Sequence, residues 1–520
     1  MTQNQQIKNG PLVSVLLSTY NRRRYLPVSL SSVLRQNYDN LEILVIRDGG
    51  QAVSDIVNSF NDSRIVFIDR DVNRGLPFSL NQALALARGK YICYLGDDDL
   101  YYPGHVGSLV NALENKTDCG VAYSDLYKTY CRIMPDGSRQ VLSKVVEISR
   151  DFDRFFTLYF NHTLHVSLMH RRDLLEKTGL YNEDLNVMID WDMTRRLVFF
   201  TDFYHVPEIT GEFYAPVDES DRISYQQRKD NANYVRNVLA IRTTRPPKPW
   251  PKVKDLSIIF TSDSFDQQAG TTIGLVWRHT FYPYKLYLPL PSADVNRINT
   301  EMPNIVYVPV PCGAAQTQQV DAALSQCEGE YIVIVPSGFP VEEMWVEDPL
   351  FGLLNSNTPK EAIELEASTD EHFAVVLRKN DIQNAGAAFK QPVLRQSLDA
   401  AGISVRKLRP EEVPFQFDSL YKETQDCEKN GNFLQAAKIY KYIAANYKNQ
   451  LWMNALAAKA LWKAGFHQNA IELASAINNQ RPSIDTLLLE AKVKREKKDF
   501  SSAIELLEKA EGILEGSCPI

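Results

Sequence analysis

The sequence predicts an α/β chain: a domain built on a mostly parallel sheet, a second and similar α/β domain, and an all-helical repeat domain at the C-terminal end. Three observations carry this. Short apolar, β-branched runs alternate with helical patterns over residues 12–95. The same succession returns 240 residues later, with Gly89-Lys90-Tyr91-Ile92 matched by Gly329-Glu330-Tyr331-Ile332. From Asp418 onward only helical patterns remain. Alternating strands and helices are the pattern of a parallel sheet with covered faces.

The first strands are read at 12–17 (LVSVLL), 41–46 (LEILVI), 65–68 (IVFI) and 91–95 (YICYL). None alternates apolar with polar, as expected of strands buried on both sides. Between them, Leu26, Leu30, Val33 and Leu34 recur with helical spacing, and Leu80, Leu84 and Ala87 mark a second helix ending at Gly89. Residues 244–251 (TRPPKPWP) carry four prolines in eight positions, which forbids a sheet ladder and reads as a linker. In the second copy, Ile305-Val306-Tyr307-Val308 matches Ile65-Val66-Phe67-Ile68, and Leu256-Ser257-Ile258-Ile259 matches Val13-Ser14-Val15-Leu16. Near the end, Phe433, Phe466 and Phe500 recur at spacings of 33 and 34, each followed by small residues. This period resembles the tetratricopeptide helix-turn-helix repeat. The expected division is therefore 1–243, a linker 244–255, 256–417 and 418–520.

Composition narrows the function. The 520 residues suggest about three or four domains. Hydrophobic residues at 44% and charged residues at 23% are ordinary globular values, so real cores can form. The net charge of -7 gives no global attraction to nucleic acid or to an anionic membrane. No run approaches the ~20 apolar residues of a membrane span and the polar start has no signal-like apolar stretch, so no transmembrane segment and a cytoplasmic location are expected. The seven scattered cysteines contain no C-x-x-C pair and fit reduced structural thiols.

The densest acidic cluster near a strand end is Asp97-Asp98-Asp99, directly after the run 91–95. Three adjacent carboxylates repel one another, and a hard divalent ion with oxygen ligands would compensate them. The carboxyl ends of parallel strands are where ligands bind. The neighbouring motifs sharpen this: VSVLLSTYNR at 13–22, Gln36-Asn37-Tyr38, LEILVIRDG at 41–49, Asn73-Arg74-Gly75 with Asn81, and Gly89 to Pro103. Together, over residues 11–215, they resemble family 2 of the nucleotide-sugar glycosyltransferases, which have the GT-A fold and hold a divalent metal, Mn2+ or Mg2+, with a D-x-D motif.

The resemblance implies donor-side roles for Thr19, Tyr20, Asn21, Arg22, Asp48, Asn73, Gly75, Asn81, Asp97 and Asp98. Thr19 and Tyr20 would flank the nucleobase, Asp48 would bind base or ribose, and Asp99, with Asp98 as alternative, would hold the metal. Two departures from the family pattern stand out: Arg47-Asp48 replaces an aspartate pair, and Gly96 precedes the triplet where Leu-Asp-x-Asp-Asp is frequent. The segment YNEDLNVMIDWDMTRR at 181–196 resembles the family's Glu-Asp-Trp-Asp region, so Asp190 matches the general base of an inverting transfer. Ile189 stands where the family has Glu. Trp191, Asp192 and His162 are acceptor-side candidates, Trp191 packing the helix or stacking on sugar and Asp192 orienting the helix start. Glu212 and the stretch Val217 to Ser224 fall where the family often has a loop closing over the donor.

The second copy has lost this equipment: Asp97, Asp98 and Asp99 fall on Ser337, Gly338 and Phe339, and Asp190 falls on Ser397. The leading expectation is a metal-dependent inverting glycosyltransferase that moves a sugar, foremost from a UDP-linked donor, to a hydroxyl of a glycan or protein, as in bacterial glycosylation. The helical repeats would serve a protein partner or self-association, and no nucleic-acid partner is expected. The alternatives are a non-catalytic scaffold made of glycosyltransferase-like domains, and a nucleotidyltransferase. The latter lacks a glycine-rich phosphate loop near Tyr20 to Arg24.

Overall fold

A computed structural model describes residues 10–146, 149–217, 231–295, 304–369, 372–384, 393–409, 412–413, 416–446, 451–479 and 482–515. The chain forms two compact units, Met1–Tyr234 together with Phe417–Ile520, and Val235–Gln416. The helical segment therefore groups with the N-terminal domain, and the proline-rich stretch lies within the second unit.

In the first unit the strands are β1 (Val13–Thr19), β2 (Leu41–Asp48), β3 (Ile65–Arg70), β4 (Tyr91–Gly96), β5 (Leu100–Tyr101), β6 (Cys119–Ile133), β7 (Arg139–Val145), β8 (Leu168–Arg171) and β9 (Asp202–Pro216). Among the described residues they form one sheet in the order β3-β2-β1-β4-β8-β6-β9-β5, with β7 paired to β6. The four strands read from the sequence, β1 to β4, are mutually parallel, and β8 runs antiparallel to both β4 and β6. All eight residues of β2 are buried, which explains why its sequence does not alternate. Helices α1 (Leu26–Leu34), α2 (Ser54–Ser59), α3 (Leu76–Leu86) and α4 (His105–Asn115) connect and cover these strands. Leu26, Leu30 and Val33 of α1 and Val106, Leu109 and Leu113 of α4 share a core with Val13, Val15 and Leu17 of β1.

The chain places β2 and β3 on one side of β1, then returns to lay β4 on the other. That reversal opens a crevice at the carboxyl ends of β1 and β4. Ser18 lies opposite Gly96 and Thr19 opposite Arg47, so Thr19, Asp48 and Asp97 all leave the sheet at one edge.

The second unit has strands β10 (Leu256–Thr261), β11 (Tyr284–Leu290), β12 (Ile305–Pro309), β13 (Tyr331–Pro336), β14 (Glu361–Glu364), β15 (Val375–Arg378) and β16 (Ser404–Lys407). Their order, β12-β11-β10-β13-β15-β14-β16, and their pairing senses repeat those of β3-β2-β1-β4-β8-β6-β9. Thus the repeated sequence pattern corresponds to a repeated strand order.

Six helices follow among the described C-terminal residues: Gln416–Lys429, Phe433–Asn446, Leu451–Lys463, His467–Asn478, Ile484–Glu496 and Phe500–Glu515. Three of the turns between them are built alike. Gly431, Gly465 and Lys498 take positive φ, and the following N–H of Asn432, Phe466 and Asp499 returns to the carbonyl of Cys427, Leu461 and Lys494 at 2.8, 2.9 and 2.9 Å. This satisfies helix-end carbonyls by the left-handed capping geometry that favours glycine. The last two helices dock on the sheet: Ile484, Leu487, Ala510 and Ile513 pack with Tyr127. No helix among the described residues is long and apolar enough to cross a membrane.

Candidate active site

The acidic triplet is a reverse turn between β4 and β5, closed by the Asp99 N–H on the Gly96 carbonyl at 3.2 Å. Its three carboxylates do not share one environment. Asp97 is buried and accepts from the Tyr20 N–H at 3.4 Å and from Arg22 Nη1 at 3.3 Å. Burial first, and Asp98 second, push its carboxyl up against the pull of Arg22. Asp98 Oδ2 also meets Arg22 Nη1, at 2.7 Å. Asp99 Oδ1 accepts from the Tyr214 N–H on β9 at 3.1 Å, and its carbonyl accepts from Ser29 on α1 at 2.6 Å.

The remaining oxygens converge over Gly96. A methyl at that position would sit 2.9 Å from Asp99 Oδ2 and 3.0 Å from Asp98 Oδ1. Glycine therefore leaves a cradle that two carboxylate oxygens face. Such a donor set fits a hard divalent cation. No three His, Cys, Asp or Glu side chains converge on one point among the described residues. A cation at the cradle would accordingly take two protein carboxylates and complete its shell with other oxygens.

Beside the triplet, Tyr20 is exposed at the edge, and Asn21, at φ 55, turns the chain out of β1. The Asn21 side chain accepts from the Gln51 N–H at 3.0 Å, tying this turn to the one after β2. Asp48 is buried, and its Oδ1 accepts from Arg70 and from the Arg74 N–H, the latter at 2.7 Å. Asn73 accepts from the Gly75 N–H at 3.1 Å, and Gly75, at φ 90, starts α3. Asn81 takes a different part: its amide binds Tyr181 at 2.9 and 3.0 Å and Glu183 at 3.0 Å. It clips the loop that leads to Asp190.

Comparison with known proteins decides the family of this domain. Residues 14–175 match Glycosyl transferase family 2. The chain carries a family 2 glycosyltransferase domain. Two relatives are uncharacterized glycosyltransferases. That of Rickettsia prowazekii is 28% identical over 208 residues, spanning 38% of this chain and 63% of the relative. That of Methanocaldococcus jannaschii is 29% identical over 195 residues, spanning 36% and 65%. The match thus spans less than two thirds of either relative. Among solved structures, S. aureus TarS 1-349 in complex with UDP-GlcNAc is similar at 16% identity and a TM-score of 0.37, with 60% of this chain and 80% of that one covered. The mannosyltransferase PcManGT from Pyrobaculum calidifontis, in complex with GDP-Man and Mn2+, is similar at 17% identity and a TM-score of 0.33, covering 46% and 66%.

Past the matched segment, Asp190 lies in the first turn of helix α7 (Ile189–Leu197), which follows α5 (Arg154–Tyr159) and α6 (Leu175–Thr178). Met188, just before it, holds the left-handed conformation at φ 58, a strained choice for a non-glycine residue that aims the helix start. Asp190 Oδ2 accepts from the Asn161 amide at 2.9 Å. A packed chain of rings leads from there to β4: Tyr181 hydroxyl to His165 Nε2 at 2.7 Å, and His165 stacked on Tyr94 at 4.0 Å. Burial, with His170 nearby, pulls His165 down to about 3, so it is neutral. The stretch Asn161 to His165 stands out in the sequence for its two histidines, but the pairing of Asn161 with Asp190 and of His165 with Tyr181 does not. The first of these pairings spans 29 residues.

Trp191 is buried and gives its indole N–H to the Thr157 carbonyl at 2.9 Å, so it packs the helix and presents no face for a sugar. Asp192 is buried too, paired with Arg196 Nη2 at 2.7 Å, and so steadies α7. His162 is buried beside Asp125, Arg150 and Ser167 around a cavity of ≈ 20 Å³, room for about one water. Burial, and then Arg150, lower its ring to about 3. Glu212 is enclosed by Tyr102, Thr129 and Lys144, which donate at 2.8, 2.8 and 2.6 Å. It is a structural carboxylate. Of the expected closing loop, 218–224 lies outside the described residues.

Proposed function

We propose that the family 2 domain transfers a sugar from a nucleotide-sugar donor, UDP-linked foremost, to an acceptor hydroxyl with inversion. The observation that carries this reading is the convergence of Asp98 and Asp99 over Gly96 at the strand-order reversal, beside Tyr20 and Asp48. Asp98 and Asp99 would hold a divalent cation, Mn2+ or Mg2+. A bound divalent ion supplies Lewis-acid compensation of the departing diphosphate.

The chain's own residues do the rest. Thr19, Tyr20 and Asp48 line the nucleoside side of the crevice, and Asp97 closes its floor. Asp190, positioned by Asn161 and the strained Met188, takes the acceptor proton as the hydroxyl oxygen attacks the anomeric carbon. The acceptor is a glycan or a protein. The second unit, with the same strand order and Ser337-Gly338-Phe339 in place of the triplet, serves a non-catalytic role. The C-terminal helices, read as tetratricopeptide-like, offer a surface for a protein partner.

Calorimetry of UDP with and without Mn2+, on the intact chain and on Asp98→Asn, Asp99→Asn, tests the donor site. Metal-dependent binding lost in the variant supports the reading. UDP-sugar turnover then tests the base: Asp190→Asn should retain UDP binding and lose transfer. Full turnover in that variant would remove Asp190 from the role.

A further inference from the structure

The acidic turn carries its own cation. Arg22 Nη1 bridges Asp98 Oδ2 at 2.7 Å and Asp97 Oδ1 at 3.3 Å, with side chains only 16%, 13% and 6% exposed. An arginine cannot relieve this arrangement by losing a proton. Its backbone is fixed, because the Arg22 carbonyl accepts from Tyr25 and Leu26 at the start of α1, so only the side chain can move. Asp98 meanwhile faces two places at once: Oδ2 toward Arg22 and Oδ1 toward the Gly96 cradle. A divalent cation in the cradle and the guanidinium compete for the same carboxylate.

The second unit offers an internal comparison. Ile259 lies opposite Tyr287 as Leu16 lies opposite Leu44, and the stretch Ser262 to Asp266 that leaves β10 holds no arginine. Where the triplet is Ser337-Gly338-Phe339, the arginine is also gone. The guanidinium accompanies the carboxylates and not the fold.

We infer that Arg22 is the built-in counter-charge of the acidic turn, and that cation and nucleotide diphosphate displace it jointly. The cation takes over Asp98, and the released guanidinium turns to the diphosphate oxygens, whose geometry its planar fork matches. Resting on the donor-site reading above, this makes cation and nucleotide binding mutually reinforcing. Either ligand alone meets a site in which the competent arrangement is a minor population, which weakens its apparent affinity by that fraction. By linkage, Mn2+ must strengthen UDP binding by the same factor as UDP strengthens Mn2+ binding.

The test is calorimetric titration of the intact chain with Mn2+ alone, UDP alone, and each in the presence of the other, for the wild type, Arg22→Gln and Arg22→Lys. Thermal unfolding of each variant checks the fold. The wild type should show coupling of about tenfold or more. Arg22→Gln should bind Mn2+ alone about tenfold tighter, bind UDP with Mn2+ more weakly, and lose most of the coupling. Arg22→Lys, keeping the charge without the fork, should retain the weak binding of Mn2+ alone. If Arg22→Gln binds Mn2+ no tighter than wild type and keeps the coupling, the inference falls while the donor site stands. If the wild type binds neither ligand, the donor-site reading falls and this one with it.

Discussion

Replacing Lys144 by Met probes the joint between the helical array and the catalytic sheet. Lys144 and Glu212 form an ion pair at 2.6 Å with both side chains 3% exposed, and Lys144 also donates to the Ile513 carbonyl at 3.1 Å. Glu212 would keep Tyr102 and Thr129 but lose the ammonium that pairs with it. Removing one member of a buried pair costs about 3–5 kcal/mol, because the other charge stays desolvated. For a unit of about 340 residues that corresponds to a fall in unfolding temperature of roughly 4–7 °C. Scanning calorimetry of the intact chain reads it, in the transition of the first unit. Lys144→Met with Glu212→Leu should cost less than the summed single effects by at least about 1 kcal/mol. A single-variant cost below about 1 kcal/mol, or strict additivity, would refute the view that this pair carries the joint.

Other consequences are equally direct. Glu347 in the second unit is fully buried, and burial lifts its carboxyl from 4.5 to about 7, against the Tyr282 and Phe281 N–H groups it accepts from. The folded state then holds a proton that the unfolded state releases, so stability is full below about pH 4.5 and is lost as pH rises through about 7. Glu347→Gln should flatten that decline, worth roughly 3 kcal/mol, in unfolding temperatures measured from pH 5 to 8. Lys498→Gly should stabilise the helical array by about 1 kcal/mol, since Lys498 occupies at φ 61 the position held by Gly431 and Gly465 in the equivalent turns; urea unfolding reads it, and a loss of stability would contradict it. Calorimetry should find one UDP per chain, because the second sheet edge presents Ser337, Gly338 and Phe339; a stoichiometry near two would mean that the second unit also binds.

Much of the fold was legible because burial on both faces writes itself into composition. Four apolar runs became β1 to β4 within two residues at each end. Turn chemistry was legible where one residue decides it: Gly465, before Phe466, takes positive φ at a helix turn. The docking of the helical array was not, since the contacts that join Ile484 and Ile513 to Tyr127 span most of the chain and leave no periodicity. The site was half legible. Charge density revealed the triplet, but its three carboxylates look alike in sequence and differ through burial and through Tyr20, Arg22, Tyr214 and Gly96 in space.

The two sheets separate what the fold does from what the residues do. Strand order and pairing sense bring the corresponding strand ends to the same edge in both. What changes is the charge placed there. In the first unit a turn of three carboxylates is held by a guanidinium from just past β1 and by the Tyr214 amide. In the second, Phe339 turns inward and is buried, so the corresponding turn contributes to the core. Burying an aromatic ring there gains apolar contact that carboxylates cannot supply. The acidic turn is therefore a local cost to stability that the second unit does without, as expected of a site kept for binding and chemistry.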